Sequence, residues 1–218
     1  MSIIELLKEN YVTLLSAMGN TLELTFLSLI FASLIGLFFG MLNVSKKKWM
    51  HVIANIYIDL VRGVPLIVLA FFIYFGIPMA TGIKLNALVA GIIALSLNAG
   101  AYMAEIVRAG IQSIDKGQME AARSLGLPYG VSMRKVVLPQ AIRVMIPSII
   151  NQFIITLKDT SILSVIGFPE LTKTGSIIIA RNFEVFKMWG VIAIMYLIVI
   201  TTLSKIAKAL ERRMSYGK

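Results

Sequence analysis

Long apolar runs, separated by short charged segments, dominate the pattern of this chain. The first run covers residues 24–44 and contains no charged side chain. At about 1.5 Å per residue, a helix of this length crosses a hydrocarbon layer of roughly 30 Å. Four more runs of comparable character cover residues 53–79, 85–107, 142–167 and 188–204. The pattern predicts an all-α integral membrane protein with five transmembrane helices.

The charged segments between the runs predict the orientation of the chain. Lys46, Lys47 and Lys48 directly follow the first run. Basic residues also follow the last run, namely Lys205, Lys208, Arg212, Arg213 and Lys218. Basic clusters beside a span mark its cytoplasmic end. We therefore expect the N-terminus outside and the C-terminus inside, with residues 168–187 as an external loop.

Composition narrows the function classes. Hydrophobic residues make up 58% of the 218 residues and charged residues 15%, against the roughly 25% charged of soluble domains. The chain has 21 Lys and Arg against 11 Asp and Glu. These basic residues flank the apolar runs and form no basic stripe, so they do not indicate a nucleic-acid-binding protein. There is no cysteine, and the single histidine, His51, lies beside three lysines, which favours an interfacial residue over a metal ligand.

Polar residues inside the third and fourth runs fall at helical spacing. Asn98, Tyr102 and Glu105 continue a face that begins with Gly91 and Leu95. The fourth run places Ser148, Gln152, Thr156 and Asp159 on one face, with Asn151 and Lys158 beside it. Polar groups at membrane depth are costly and usually face the bundle interior or a wet path. The predicted substrate pathway comprises Asn98, Tyr102, Glu105, Asn151, Gln152, Thr156, Lys158 and Asp159.

Structural roles for the same polar groups remain open. Glu105 can pair with Arg108 three residues on, and Asp59 can pair with Arg62. Asp159 can pair with Arg62 or with Lys158 of a neighbouring helix. The polar face of the fourth run can also serve helix-to-helix hydrogen bonding alone.

The charged segment 115–140 predicts a short amphipathic helix between the third and fourth runs. Asp115 can cap its start, and Gly126 is placed to end it in a left-handed turn, with Pro128 two residues later. Met119, Ala122 and Leu125 share one face, while Glu120, Arg123 and Ser124 share the other. A helix this short is marginal alone, so we expect it to need a partner surface.

This segment resembles the EAA loop of the membrane permeases of ABC importers. The resemblance comprises Glu120-Ala121-Ala122, then Gly126, then Val136-x-Leu138-Pro139, with Val136 where isoleucine is usual. In that family the loop docks into a groove of the ATPase subunit and passes on its conformational change. The resemblance implies that the ATPase-coupling residues are Glu120, Ala121, Ala122, Arg123, Gly126, Leu138 and Pro139.

Shorter stretches are similar to the permeases for polar amino acids. They are Arg62-Gly63-x-Pro65, Ser96-Leu97-Asn98, residues 101–108, Asn151-Gln152 and residues 157–161. The resemblance implies a type I ABC importer permease, one domain over residues 1–218, that pairs with an identical or different permease chain. It further implies alternating-access uptake of a polar amino acid delivered by an extracytoplasmic binding protein. The membrane that the resemblance implies is the cytoplasmic (inner) membrane of a prokaryote.

The nucleotide chemistry is expected on another chain. Residues 167–174 approach the pattern of a phosphate-binding loop, but Thr172 occupies the position of the glycine before the lysine. We therefore expect ATP and Mg²⁺ on a separate ABC ATPase subunit, no cofactor on this chain, and no catalytic site in it.

An ion-coupled secondary transporter or channel is the main alternative. Such a protein could also carry Asp159 and Glu105 in its membrane, as proton relays do. It would not need an EAA loop, however, and the internal inverted repeats common in such carriers are not apparent.

Overall fold

Our computed structural model describes residues 2–215, and the side chains of residues 2–209. The apolar runs in this part of the chain fold into helices. Within this part of the chain the helices are α1 (Ile3–Asn43), α2 (Lys48–Gly63), α3 (Leu66–Thr81), α4 (Ala87–Gln112), α5 (Lys116–Ser124), α6 (Tyr129–Ile166), α7 (Leu171–Asn182) and α8 (Val185–Ser215). Helices α3 and α6 each contain one π-helical turn, and α6 ends in a 3₁₀ turn, Thr160–Ile166. Lys218 and the side chains of Arg212 and Arg213 lie outside the described residues.

Four helices, α1, α4, α6 and α8, are each long and apolar enough to cross a membrane. Helices α2 and α3 are apolar enough together for a further crossing, but they are bent by 100° at the break between them, as in a broken span or a re-entrant loop. The all-α class is confirmed, and five crossings result when the bent pair counts as one.

The second span is not the single helix expected over residues 53–79. Val64 is extended, with φ −107° and ψ 131°, and α3 begins only after Pro65. Proline lacks a backbone N–H and disfavours a helical residue before it, which accounts for the break. The pairing that Asp59 and Arg62 could have made is not formed, since the described side chains show no ion pair between them. The Arg62 guanidinium instead lies over the Tyr102 ring, 5.1 Å from its centre.

Helix α1 begins twenty-one residues earlier than the uncharged run, at Ile3 rather than at residue 24. Ser2 and Glu5 form a capping box at its start. The early charges, among them Glu5 and Glu23, stay on the exposed side of the helix. On the other side Leu6 and Leu14 are buried with residues of α7 and α8. The start predicted from the absence of charged residues, at residue 24, is therefore too late for this helix.

The other spans are likewise longer than expected. Helix α4 continues to Gln112, α6 starts at Tyr129, well before residue 142, and α8 extends from Val185 to Ser215. Pro147 lies inside α6 without ending it.

Residues 168–187, expected as a loop, contain helix α7. Its start is capped by Glu170, whose carboxylate accepts hydrogen bonds from the backbone N–H groups of Thr172 and Lys173. Leu171 and Ile178 are buried against α1 and α8. The helix was missed because its apolar side is too short to give a recognisable run.

Helices α1 and α4 pack with their backbones close together. An added Cβ on Gly36 would lie 2.4 Å from the Met103 Cβ, and one on Gly40 would lie 2.6 Å from the Val107 Cβ. Glycines four residues apart are a common device for close helix contact in membranes, where no hydrophobic force joins the helices. The α1–α4 contact therefore depends on the missing side chains.

We predict that Gly36→Ala destabilises the protein by about 1–3 kcal/mol through overpacking. Gly19→Ala on the same helix is the matched control, because nothing lies within 4 Å of its added Cβ. Thermal unfolding in detergent should show a lowered midpoint for Gly36→Ala and an unchanged or raised midpoint for Gly19→Ala. Equal midpoints for the two variants would contradict this account of the contact.

Candidate functional site

An open cleft lies between α4, α6 and the break that separates α2 from α3. Its first part is a cavity of about 490 Å³ lined by Asn98, Tyr102, Gln152, Ile155, Asp159 and residues 62–66. A second cavity of about 420 Å³ is lined by Tyr102, Glu105, Ile106, Pro147, Ser148, Asn151 and Gln152. The two share Tyr102 and Gln152, so we treat them as one feature, the α4–α6 cleft.

Six of the eight residues predicted for the pathway line this cleft: Asn98, Tyr102, Glu105, Asn151, Gln152 and Asp159. Thr156 does not, since it is fully buried and its hydroxyl donates to the Gln152 carbonyl oxygen at 2.9 Å. Lys158 is exposed and lies outside the lining residues. Helical spacing alone could not separate these two from their neighbours.

Arg62 is a cleft residue that the sequence pattern did not assign to the site. It lies in the last turn of α2, next to the break after Gly63, and lines the same cavity as Asp159, beside Tyr102 of α4. No ion pair joins Arg62 to Asp159 among the described side chains, so the suggested structural pairing of these two residues within one chain is wrong. The sequence signal nearest to Arg62 is Gly63-x-Pro65, which predicts a break in the helix. It does not predict which neighbouring helix Arg62 faces.

Glu105 is engaged within its own helix, as the pairing alternative expected. Arg108 donates from Nε to Glu105 Oε2 at 2.9 Å and from Nη2 to the other carboxylate oxygen, and its Nη1 donates to Gln112 Oε1 at 2.6 Å. A bidentate arginine neutralises this carboxylate effectively. Asp159 thus differs from Glu105 in that no described basic side chain lies within ion-pair distance of it.

The second candidate site is the loop helix α5. The Asp115 side chain caps it by accepting from the Gly117 backbone N–H at 2.7 Å. Gly126 has φ +83°, which confirms the predicted left-handed end. The backbone N–H groups of Gly126 and Leu127 donate to Arg123 and Ala122, which satisfies the last carbonyls of the helix.

One face of α5 rests on the base of α6. Ala122 is buried, and Met119 packs into a cluster that includes Val137 and Ala141. Leu125, expected on this buried face, is instead 83% exposed, because the helix already turns at its C-cap there. Ala121, Glu120, Arg123, Gly126 and Pro139 are exposed, and Leu138 is partly exposed.

His51 lies near this loop and links two helices. Its Nδ1 donates to the Asn43 carbonyl oxygen at 2.7 Å, and its Nε2 accepts from Asn55 at 3.0 Å. Residues 2–215 hold no group of three or more His, Cys, Asp or Glu side chains that could bind a metal.

A bundle of membrane crossings with a polar cleft inside and a capped helix projecting from one loop is the architecture of a membrane transport subunit. Residues 32–216 match the family described as "Binding-protein-dependent transport system inner membrane component". The chain belongs to this family. It is therefore a multi-pass permease subunit of an ABC importer of the inner membrane, which decides against the ion-coupled alternative.

Sequence comparison gives relatives of known name. The chain is 41% identical over 195 residues to the glutamine transport system permease protein GlnP of Escherichia coli (strain K12), covering 89% of each chain. It is 36% identical over 208 residues to the probable amino-acid ABC transporter permease protein YckA of Bacillus subtilis (strain 168), covering 95% of this chain and 92% of that one.

Solved structures show the same fold. A chain from the crystal structure of an amino acid ABC transporter with histidines superposes with a TM-score of 0.92 at 40% identity, over 98% of this chain and 99% of that one. The MetNI methionine transporter, in inward-facing conformations, superposes with a TM-score of 0.81 at 20% identity over the same shares, which shows the fold alone.

Proposed function

We propose that this chain forms the transmembrane path of an ATP-driven importer of polar amino acids, and that the α4–α6 cleft binds the substrate. The observation that carries the proposal is the presence of Asp159 and Arg62 in one cavity with no ion pair between them. The names of the relatives, which refer to glutamine, histidines and amino acids, support this substrate class.

The charges of the cleft complement those of a free amino acid. An unpaired charge at membrane depth is costly unless it finds a partner or water. A zwitterionic amino acid supplies both partners, its ammonium group to Asp159 and its carboxylate to Arg62. Helix α3 begins beside Arg62 without a side-chain cap, and the positive end of a helix dipole favours an anion.

The amides of Asn98 and Gln152 supply polar contacts in the same cavity. They can donate and accept, as a polar side chain of the substrate requires. The cavity of about 490 Å³ falls within the roughly 300–1,000 Å³ of small-molecule sites. These features favour a polar amino acid over an apolar one.

Coupling to ATP is assigned to the residues that resemble the EAA loop and reach the surface, which are Glu120, Ala121, Arg123, Gly126, Leu138 and Pro139. Ala122, the remaining member of the set, is buried and seats α5 on α6. Two permease chains, identical or different, would each dock this helix onto an ABC ATPase subunit that binds ATP and Mg²⁺. Closure of the ATPase pair would move the helices and switch the cleft between the two sides of the membrane. A binding protein outside would deliver the amino acid.

We predict that Asp159→Asn raises the half-saturating substrate concentration by roughly ten- to a hundredfold, since a charge-assisted contact contributes about 1.5–3 kcal/mol. Transport would be measured in proteoliposomes with the partner ATPase and binding protein. Assembly and basal ATPase activity should stay at the wild-type level. Asp59→Asn is the matched control, because Asp59 is exposed and does not line the cleft.

A purely structural Asp159 would give a different result. The amount of assembled complex would fall, and the surviving complex would keep the wild-type half-saturating concentration. That outcome would rule out the cleft as the amino-acid site.

The second prediction concerns coupling. A side chain at the left-handed Gly126 costs about 1–2 kcal/mol, so Gly126→Val should misalign α5. We expect normal amounts in the membrane, loss of transport, and ATP hydrolysis that no longer depends on substrate. Gly130→Val is the control, since Gly130 lies in a helical turn with open space around it. Wild-type transport by Gly126→Val would refute the coupling role.

The third prediction tests the proposed orientation, and the absence of cysteine makes it simple. Cysteines at Lys84 and Ser176, both exposed, should react in intact cells with a thiol reagent that does not cross membranes. A cysteine at Lys47 should react only after permeabilisation. Labelling of position 47 in intact cells would overturn the orientation.

A further inference from the structure

A deep groove lies between α1, α6 and α8, apart from the α4–α6 cleft. Its volume is about 440 Å³, and it shares no lining residue with the cleft. Its walls come from residues 22–29 of α1, 150–157 of α6 and 203–207 of α8, which are all membrane-crossing helices. Leu157, which lines it, is only 1% exposed in the chain. The groove therefore reaches well into the bundle.

The walls of the groove suit an apolar ligand. Among the described residues that line it, Thr25 is the only polar one. The Thr25 hydroxyl donates to the Thr21 carbonyl oxygen at 2.7 Å, so it is engaged within its own helix. A polar ligand would lose its hydrogen bonds to water here and find few replacements. Because the groove lies at membrane depth, the apolar molecules that reach it are those of the bilayer.

Arg143 supplies a charge on the same face of α6. It precedes Ile150 by seven residues, or two helical turns, and so lies on the groove side of the helix, although it does not line the groove. Its side chain is exposed, between the half-exposed Ile142 and Val144. No described carboxylate forms an ion pair with it. An arginine so placed can bind an anionic headgroup, since its guanidinium matches two phosphate oxygens.

The spacing from Arg143 to the groove matches one phospholipid. At about 1.5 Å per residue, Ile150 lies about 10 Å and Leu157 about 21 Å beyond Arg143 along α6. Half of a hydrocarbon layer of roughly 30 Å is about 15 Å. A headgroup at Arg143 would therefore place an acyl chain of the same leaflet along the groove. In the proposed orientation this is the cytoplasmic leaflet, because α6 begins after the EAA-like loop.

A second permease chain fits the groove less well than a lipid does. In a symmetric dimer the same surface of both chains meets. Two concave grooves would then oppose each other, with the two Arg143 guanidinium groups at the same level, so neither shape nor charge would be complementary. Basic groups between transmembrane helices on the cytoplasmic side are, by contrast, typical of sites for anionic lipid headgroups.

We propose that the groove and Arg143 form a binding site for one anionic phospholipid per chain, with the headgroup phosphate on the Arg143 guanidinium and an acyl chain between α1, α6 and α8. The groove residues Ile150 and Leu157 lie on the side of α6 opposite to Gln152 and Asp159 of the cleft. The lipid site is therefore separate from the proposed amino-acid site and does not depend on it.

Native mass spectrometry of the whole importer in detergent tests the headgroup contact. The complex is titrated with phosphatidylglycerol, or with phosphatidylcholine of the same acyl chains. We expect one phosphatidylglycerol per copy of this chain, bound about five- to tenfold more tightly than phosphatidylcholine. Arg143→Gln should remove this preference. Lys205→Gln is the matched control, because Lys205 is exposed on α8 but lies about 200° around the helix from Leu203 of the groove.

Ala207→Phe tests the groove separately. Ala207 lines the groove, so the added ring would occupy the space of the acyl chain while every charge is kept. Phosphatidylglycerol binding should weaken by about fivefold or more, because several methylene groups lose their apolar contacts. Ala193→Phe is the control, since Ala193 is exposed on α8 and does not line the groove.

The contrary results separate the parts of the proposal. Equal binding of the two lipids by the wild-type complex overturns the headgroup contact. Weakened binding by Arg143→Gln with wild-type binding by Ala207→Phe overturns the groove, because the lipid is then held by charge alone. A permease pair that separates on Ala207→Phe, with the number of bound lipids per chain unchanged, shows that the second chain covers the groove and overturns the site. The amino-acid site stands or falls independently of all three.

Discussion

The close contact of α1 with α4 sets the geometry on which the rest of the bundle depends. Gly36 and Gly40 bring the two backbones together, and the Ser96 hydroxyl donates across the contact to the Ser28 carbonyl oxygen at 3.2 Å. Helix α2 fixes α4 further, because the Tyr57 hydroxyl donates to the Leu97 carbonyl oxygen at 2.8 Å. With one side of α4 held by α1 and α2, its polar stripe is left to face α6 and the cleft.

The break between α2 and α3 shows how a membrane protein accommodates irregular backbone. Unpaired backbone groups are costly in lipid, so non-helical segments at membrane depth are found where they line a cavity or are buried in protein. Here the extended Val64 and the following Pro65 line the α4–α6 cleft. The backbone groups that the break leaves without helical hydrogen bonds therefore lie in the cleft, where a polar ligand could bond to them.

Sequence reasoning recovered the elements whose signals are local. The membrane crossings follow from long apolar runs, the α5 helix from Asp115 and Gly126, and most cleft residues from helical spacing on α4 and α6. It failed where tertiary contacts decide. Helix α7 is stabilised by the buried Glu170 and by packing on α1 and α8, which no periodicity reveals. Arg62 lies in the last turn of α2, and its place in the cleft follows from the packing of α2 against α4 and not from a local sequence signal.

The loop helix α5 packs on the same helix, α6, that contributes residues to the cleft. The base of α6 supports α5 through Met119 and Ala122, and Gln140 donates to Gln118 of α5 at 3.3 Å. Further along, Met145 packs into the space that Gly110 of α4 leaves free, where an added Cβ would lie 2.2 Å from the Met145 Cγ.

Beyond that contact, α6 carries Asn151, Gln152 and Asp159 into the cleft. The α4–α6 contact at Gly110 therefore lies between the site where force would be applied and the site where substrate would bind. Two features of α6 interrupt its regular hydrogen bonding: the π turn Met133–Val137 on one side of this contact, and the cleft residue Pro147 on the other. The far end of α6 is held in the core by Leu163 and Ile166. Motion of α5 would then reach the cleft through α6 itself, with no separate relay between them.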